Sequence, residues 1–205
     1  MISRGFAGLP PHGRGQRIGL FGGSFNPPHD GHRAASLIAL HRLELDWIWW
    51  LVTPGNPLKE WNGLPPIAER MVAARLCAAH PKIIVTTFEA QLGSRYTYDL
   101  VQALVQRCPT VRFVWIMGAD SFASFPLWKR WQGIADLVPL AVVDRPGFTL
   151  RATQTRAAAL LRGARLGEAA AAQLPDQEPP AYVFLHGPRS SLSSTELRDD
   201  RRGDE

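Results

Sequence analysis

Six short apolar runs punctuate the chain: residues 17–21, 45–52, 82–87, 111–117, 138–143 and 181–185. Each is apolar almost throughout rather than alternating. That pattern belongs to strands covered on both faces, as in a parallel sheet. Helical periodicity fills the gaps, over 29–45, from Pro65-Pro66 to about His80, over 97–107, 121–136, 151–174 and 193–202. Strands alternating with helices predict a doubly wound, Rossmann-like parallel α/β sheet with flanking helices. In such a sheet ligands gather beyond the carboxyl ends of the strands, where the strand order reverses.

The chain's 205 residues, 45% of them hydrophobic, suffice for one continuous core. A single domain is expected over 17–205. Residues 1–16 are basic and rich in Gly and Pro without the apolar stretch of a secretory signal, and are expected to be a flexible tail. No apolar run approaches the roughly 18 residues of a membrane-spanning helix, so no membrane partner is expected. Cys77 and Cys108 form no CxxC pair and read as reduced thiols, which fits a cytoplasmic protein. The net charge of +5 and pI near 9.8 suit polyanionic ligands. Arginines are scattered rather than blocked, so nucleotides explain the charge as well as a stable nucleic-acid partner does. Nothing in the sequence sets the oligomeric state.

The stretch Gly19–His32, GLFGGSFNPPHDGH, follows the first apolar run and enters the first helix. Gly22 and Gly23 permit close backbone approach, and the helix start favours an anion. His29 and His32, three apart on the first turn, can face one ligand. The spacing fits neither the G-x-G-x-x-G dinucleotide turn nor a P-loop, which ends in Gly-Lys-Ser/Thr. His-x-x-His beside Asp30 is also a fragment of a metal site, but no further ligand cluster follows it.

GGSFNPPHDGH resembles the G-(T/S)-F-(D/N)-P-x-H-x-G-H signature of the nucleotidylyltransferase superfamily, and Ser193–Arg198 (SSTELR) resembles its closing ISSTxIR motif. Pro57-Leu-Lys59, the segment Ser94–Leu100 (similar to SYTxDTL) and Gly118-Ala-Asp120 followed by Trp128 are similar to the nicotinate-nucleotide adenylyltransferase branch. The resemblance implies adenylyl transfer from ATP to nicotinate mononucleotide, giving deamido-NAD and pyrophosphate in NAD biosynthesis. The same chemistry on nicotinamide mononucleotide or phosphopantetheine is the nearest alternative, and a non-catalytic nucleotide- or RNA-binding module is a further one. It implies catalytic roles for His29 and His32, which would donate hydrogen bonds to the phosphates. ATP contacts are implied for Gly22, Gly23, Ser24, Phe25, Gly118, Asp120, Ser194, Thr195 and Arg198. Thr97, Trp128 and Lys59 are implied to hold the acceptor, with Trp128 stacked on its pyridine ring; Arg145 is a weaker candidate. Mg²⁺ is expected to arrive with ATP on phosphate oxygens, without protein ligands. Ser24, Asn26, Leu100 and Leu192 depart from the commonest residues of these motifs. Trp47, Trp49, Trp50 and Trp115, in strand patterns, are expected in the core.

Overall fold

The computed structural model describes residues 8–54, 64–94, 96–144 and 154–187. Its centre is a seven-stranded sheet, parallel in every pairing, in the order β3-β2-β1-β4-β5-β7-β6. The strands are β1 (Arg17–Gly23), β2 (Trp47–Val52), β3 (Ile83–Thr86), β4 (Arg112–Gly118), β5 (Leu140–Val143), β6 (Arg165–Leu166) and β7 (Tyr182–Leu185). From β1 the chain steps outward through β2 to β3, then returns to lay β4 on the other flank of β1. The reversal of strand order therefore falls between β1 and β4, the place where such sheets open a crevice for ligands.

Alternation along the strands splits the core in two. Leu20, Trp49, Trp115 and Met117 face one side with Phe122, Phe125, Trp131 and Tyr182. Phe21, Trp50, Val114 and Ile116 face the other, against Ala35, Ala39 and Leu40. Trp49, Trp50 and Trp115 are buried, while Trp47 is only partly so.

The helices are α1 (Asp30–Arg42), α2 (Ile67–Ala78), the single turn α3 (Phe88–Gln91), α4 (Thr97–Arg107), α5 (Ala119–Ser124), α6 (Trp131–Leu137) and α7 (Arg156–Leu160). Two expectations need correction. The helical pattern of 121–136 is broken: α5 passes into a 3₁₀ turn, Phe125–Leu127, carrying Pro126, before α6 begins. The pattern of 151–174 is helical only in pieces, namely α7, 3₁₀ segments at Arg162–Ala164 and Glu168–Asp176, and the edge strand β6 between them. Ala, Leu and Arg favour a helix there, but Gly163 and Gly167 interrupt it and Leu166 pairs with Val183 instead. The expected helix over 193–202 lies outside the described residues.

Residues preceding β1 touch the domain: the Gly15 amide donates to Thr110 O at 2.8 Å, and the His12 ring meets Trp49 edge-on at 5.9 Å. Among the described residues no helix is long and apolar enough to cross a membrane.

Candidate active site

The turn joining β1 to α1 is built from the core outward. Phe25 is 1% exposed and its ring stacks on Trp50, with centroids 4.6 Å apart and an interplanar angle of 13°. This anchor holds the Phe25 backbone at φ +46°, a left-handed conformation that costs a residue with a Cβ about 1–2 kcal/mol. The Asn26-Pro27 peptide is cis. Asn26 and Pro28 then lead into His29 as N-cap of α1.

Both histidines are held by the start of that helix. The His29 Nδ1 accepts the Gly31 amide at 3.1 Å, and the His32 Nδ1 accepts the His29 amide at 3.2 Å. This is a reciprocal capping box, with His29 in the place usually taken by Ser or Thr and His32 in that of Glu. A ring nitrogen that accepts an amide hydrogen carries none of its own, so in this arrangement each neutral ring bears its proton on Nε2. The rings lie 3.9 Å apart between centroids, so the two Nε2–H groups belong to one small patch. The His32 carbonyl is tied down as well: it accepts from Ser36 Oγ at 2.9 Å, and that hydroxyl accepts from the buried Trp50 indole at 2.8 Å.

Arg70 was not legible as part of this region. It sits on α2, 4% exposed, and its guanidinium donates to Ser24 O at 2.8 Å, Thr53 O at 2.9 Å and Pro65 O at 3.0 Å. One side chain thus clips the turn after β1 to the end of β2. Burial lowers its pKa. The Thr53 amide donates to Gly23 O, and the Thr53 hydroxyl donates to Glu89, so α3 joins the same network. In the sequence, Arg70 follows Ala68-Glu69 in what looks like the solvated first turn of a helix, and only the tertiary placement of α2 reveals otherwise.

Glu89 is 5% exposed, and burial pushes its carboxyl up to about 7 from an ordinary 4.5, with the Thr53 hydroxyl bond opposing the shift. In the range between those values the folded chain binds more protons than the unfolded one. Stability therefore falls as pH rises from about 4.5 to about 7, and the full cost is carried above that. Glu89→Gln keeps an acceptor for Thr53 and removes the charge. Urea denaturation is expected to show the variant gaining up to about 3 kcal/mol on the wild type between pH 4.5 and pH 8. A stability difference that stays flat with pH would contradict this reading of Glu89.

The second wall lies across β4. A Cβ on Gly22 would come within 2.7 Å of Trp115 Cη2, so Gly22 has to be glycine for the sake of that indole. The residue type was anticipated; its packing reason was not. Trp115 in turn meets Trp128 edge-on at 6.3 Å, and Trp128 meets Phe125 the same way at 5.4 Å. Trp128 is half-buried and closes the 3₁₀ turn after α5. Thr97, the first residue of α4, is brought to this side by its neighbours: Lys129 sits over the Tyr96 ring at 3.9 Å and Arg130 over Tyr98 at 3.7 Å. The missing side chain of Gly133 leaves room for Tyr98.

Gly118 ends β4 as N-cap of α5, and Asp120 lies in that helix's first turn. Gly22, Gly23, Ser24, Phe25, His29, His32, Gly118, Asp120, Thr97 and Trp128 thus gather at the carboxyl end of the sheet around β1 and β4. Lys59, Arg145, Ser194, Thr195 and Arg198 lie outside the described residues. Among the described residues no three His, Cys, Asp or Glu side chains come together as a metal site. Trp131 is buried against Phe125, in a packing role.

A family model described as cytidylyltransferase-like matches residues 20–200. A probable nicotinate-nucleotide adenylyltransferase of Methylorubrum extorquens is 56% identical over 182 residues, covering 89% of this chain and 98% of the relative. Its counterpart in Brucella abortus is 51% identical, covering 88% and 93%. The fold is similar to that of Plasmodium falciparum nicotinic acid mononucleotide adenylyltransferase solved with NaAD, with a TM-score of 0.64 at 19% identity over 90% of this chain and 83% of that one. With so close a match along nearly all its length, this chain belongs to the cytidylyltransferase-like family and, within it, to the nicotinate-nucleotide adenylyltransferases.

Proposed function

We propose that this chain transfers the adenylyl group of ATP to nicotinate mononucleotide, forming deamido-NAD and pyrophosphate. The observation that carries the reading is the paired histidine cap, whose bonds engage both Nδ1 atoms and so put the proton of each neutral ring on Nε2, that of His29 buried beneath its neighbour, backed by the relatives' shared name. A phosphate oxygen of the acceptor attacks the α-phosphorus of ATP, the bond from that phosphorus to the β-phosphate bridging oxygen breaks, and pyrophosphate leaves. A phosphate monoester is already largely dianionic at neutral pH, so the site needs no strong general base. It needs alignment, and donors aimed where charge builds on the α-phosphoryl oxygens.

In this reading His29 and His32 supply those donors. Gly22, Gly23, Ser24 and Phe25 carry the ATP phosphates past the turn, and Gly118 and Asp120 meet the nucleoside side. Ser194, Thr195 and Arg198 would clamp the leaving phosphates. Trp128 offers its face to the pyridine ring, with Thr97 beside it and Lys59 near the acceptor phosphate. Mg²⁺ is placed in this reading on phosphate oxygens and water. Bound there, it would neutralise phosphate charge.

The test is an acceptor panel. Protein with ATP and Mg²⁺ should release pyrophosphate with nicotinate mononucleotide, and far more slowly with nicotinamide mononucleotide or phosphopantetheine. Release with one of the latter two alone would reassign the acceptor, and salt-dependent RNA binding without any pyrophosphate would replace the enzyme by a binding module.

A further inference from the structure

Two stretches of chain carry the residues proposed to hold the acceptor, and each supplies a partner for the other. Thr97 stands between Tyr96 and Tyr98 at the start of α4, and Trp128 is followed directly by Lys129 and Arg130 at the entry to α6. The Lys129 ammonium lies over the Tyr96 ring at 3.9 Å and the Arg130 guanidinium over the Tyr98 ring at 3.7 Å. Thr97 is thereby flanked along the chain by two rings, each carrying a cation from the Trp128 stretch. Among the described residues no hydrogen bond or ion pair joins the two stretches, so these contacts and the packing of α4 beside α6 hold them together.

The backbone of Arg130 gives the pairing an independent mark. It sits at φ +56° and ψ 36°, a left-handed conformation that suits glycine and strains a residue with a Cβ. Arginine does not earn the place as a cap, because its side chain makes no cap hydrogen bond, and the bond from the Ile134 amide goes to its backbone carbonyl. What arginine supplies there and glycine lacks is the cation on Tyr98. The same helix also makes room for that ring: Tyr98 is 8% exposed, and a Cβ on Gly133 would come within 2.6 Å of its Cε2. Strain kept at a position where glycine fits better points to a function for the side chain.

We propose that Lys129 and Arg130 are positioning residues for the acceptor, an inference that rests on the acceptor assignment made above. Their pairs with Tyr96 and Tyr98 latch α4 to the entry of α6 and fix Thr97 relative to Trp128. Loosening the latch lowers the fraction of molecules whose two stretches stand ready for the acceptor, and apparent affinity falls by that fraction. The latch shares no residue with the turn around His29, so it sets acceptor affinity and leaves ATP binding and the chemical step alone.

The experiment is steady-state kinetics on the full chain, with ATP and nicotinate mononucleotide varied in turn. Arg130→Gly removes the cation and relieves the left-handed backbone, so it should melt close to the wild type. Its KM for nicotinate mononucleotide should rise roughly two- to fivefold, the scale of one exposed cation–π pair, with kcat and the KM for ATP unchanged. Lys129→Met, which keeps the aliphatic stem, should do the same. Tyr98→Phe keeps the ring and should match the wild type, while Tyr98→Leu should match Arg130→Gly and add nothing to it in the double variant. An Arg130→Gly enzyme whose acceptor KM stays put, or whose ATP KM or kcat moves as much, would overturn the latch alone. A wild type that releases no pyrophosphate with nicotinate mononucleotide would overturn the acceptor assignment and the latch with it.

Discussion

Replacing His32 with alanine is expected to lower turnover by roughly 10²-fold or more, the scale seen when one preorganised transition-state donor is removed. The substitution has two effects, and they can be separated. It deletes the Nε2–H proposed to meet the phosphates, and it deletes the Nδ1 acceptor that caps the His29 amide at 3.2 Å. Loss of a cap costs about 0.5–2 kcal/mol of stability. His32→Asn isolates the donor, because its side-chain oxygen can reach the position of Nδ1 while nothing occupies that of Nε2. The asparagine variant should recover much of the melting temperature lost by alanine and little of the turnover. If asparagine restores turnover along with stability, His32 is a structural cap and not a catalytic donor.

Arg70→Ala is the second large effect. It leaves the carbonyls of Ser24, Thr53 and Pro65 without their guanidinium donor in a buried place. Hydrogen bonds to a charged group contribute about 1.5–3 kcal/mol each, and they are not additive here, so a loss of at least about 3 kcal/mol is expected on chemical denaturation. Because Ser24 belongs to the turn proposed to carry the ATP phosphates, turnover measured well below the melting temperature should fall as well, by more than the unfolded fraction explains. Arg70→Lys can retain one or two of the three bonds and should fall between. A variant with wild-type stability and wild-type turnover would show that the clip contributes to neither.

These two residues also mark how far the sequence could be read. His32 was visible because its spacing from His29 places two donors on one turn immediately after a strand and a glycine pair, and the local rules of helix entry suffice for that. Arg70 was invisible because its neighbours along the helix are ordinary surface residues. What buries it is the position of α2 beside the ends of β1 and β2, which no local rule supplies. Trp128 and Thr97 were picked out as acceptor residues by resemblance, but the means that join their two segments, cation–π pairs from Lys129 and Arg130 onto Tyr96 and Tyr98, depend on the meeting of α4 with the turn before α6. The strands were legible because unbroken apolar runs leave few alternatives. The segment 151–174 was not, since its Ala-rich composition favours a helix and the edge pairing of Leu166 with Val183 is a tertiary decision.

Glycine 22 shows the same division. Its residue type pointed to a turn that accommodates phosphate, while the structure shows the Trp115 indole filling the space a side chain would need. The two needs are compatible: a wall that keeps Trp115 against Gly22 also keeps Trp128 against Trp115, and so sets the distance between the turn and the proposed acceptor platform.

The central claim is that this turn directs attack on the α-phosphorus of ATP. The most direct measurement follows separately labelled phosphates: the protein is incubated with Mg²⁺, nicotinate mononucleotide and ATP carrying ³²P at the α or the γ position. The account predicts that α-label enters a dinucleotide while γ-label is recovered only as pyrophosphate. Recovery of α-label as AMP alone, or transfer of γ-label to the acceptor, would contradict it.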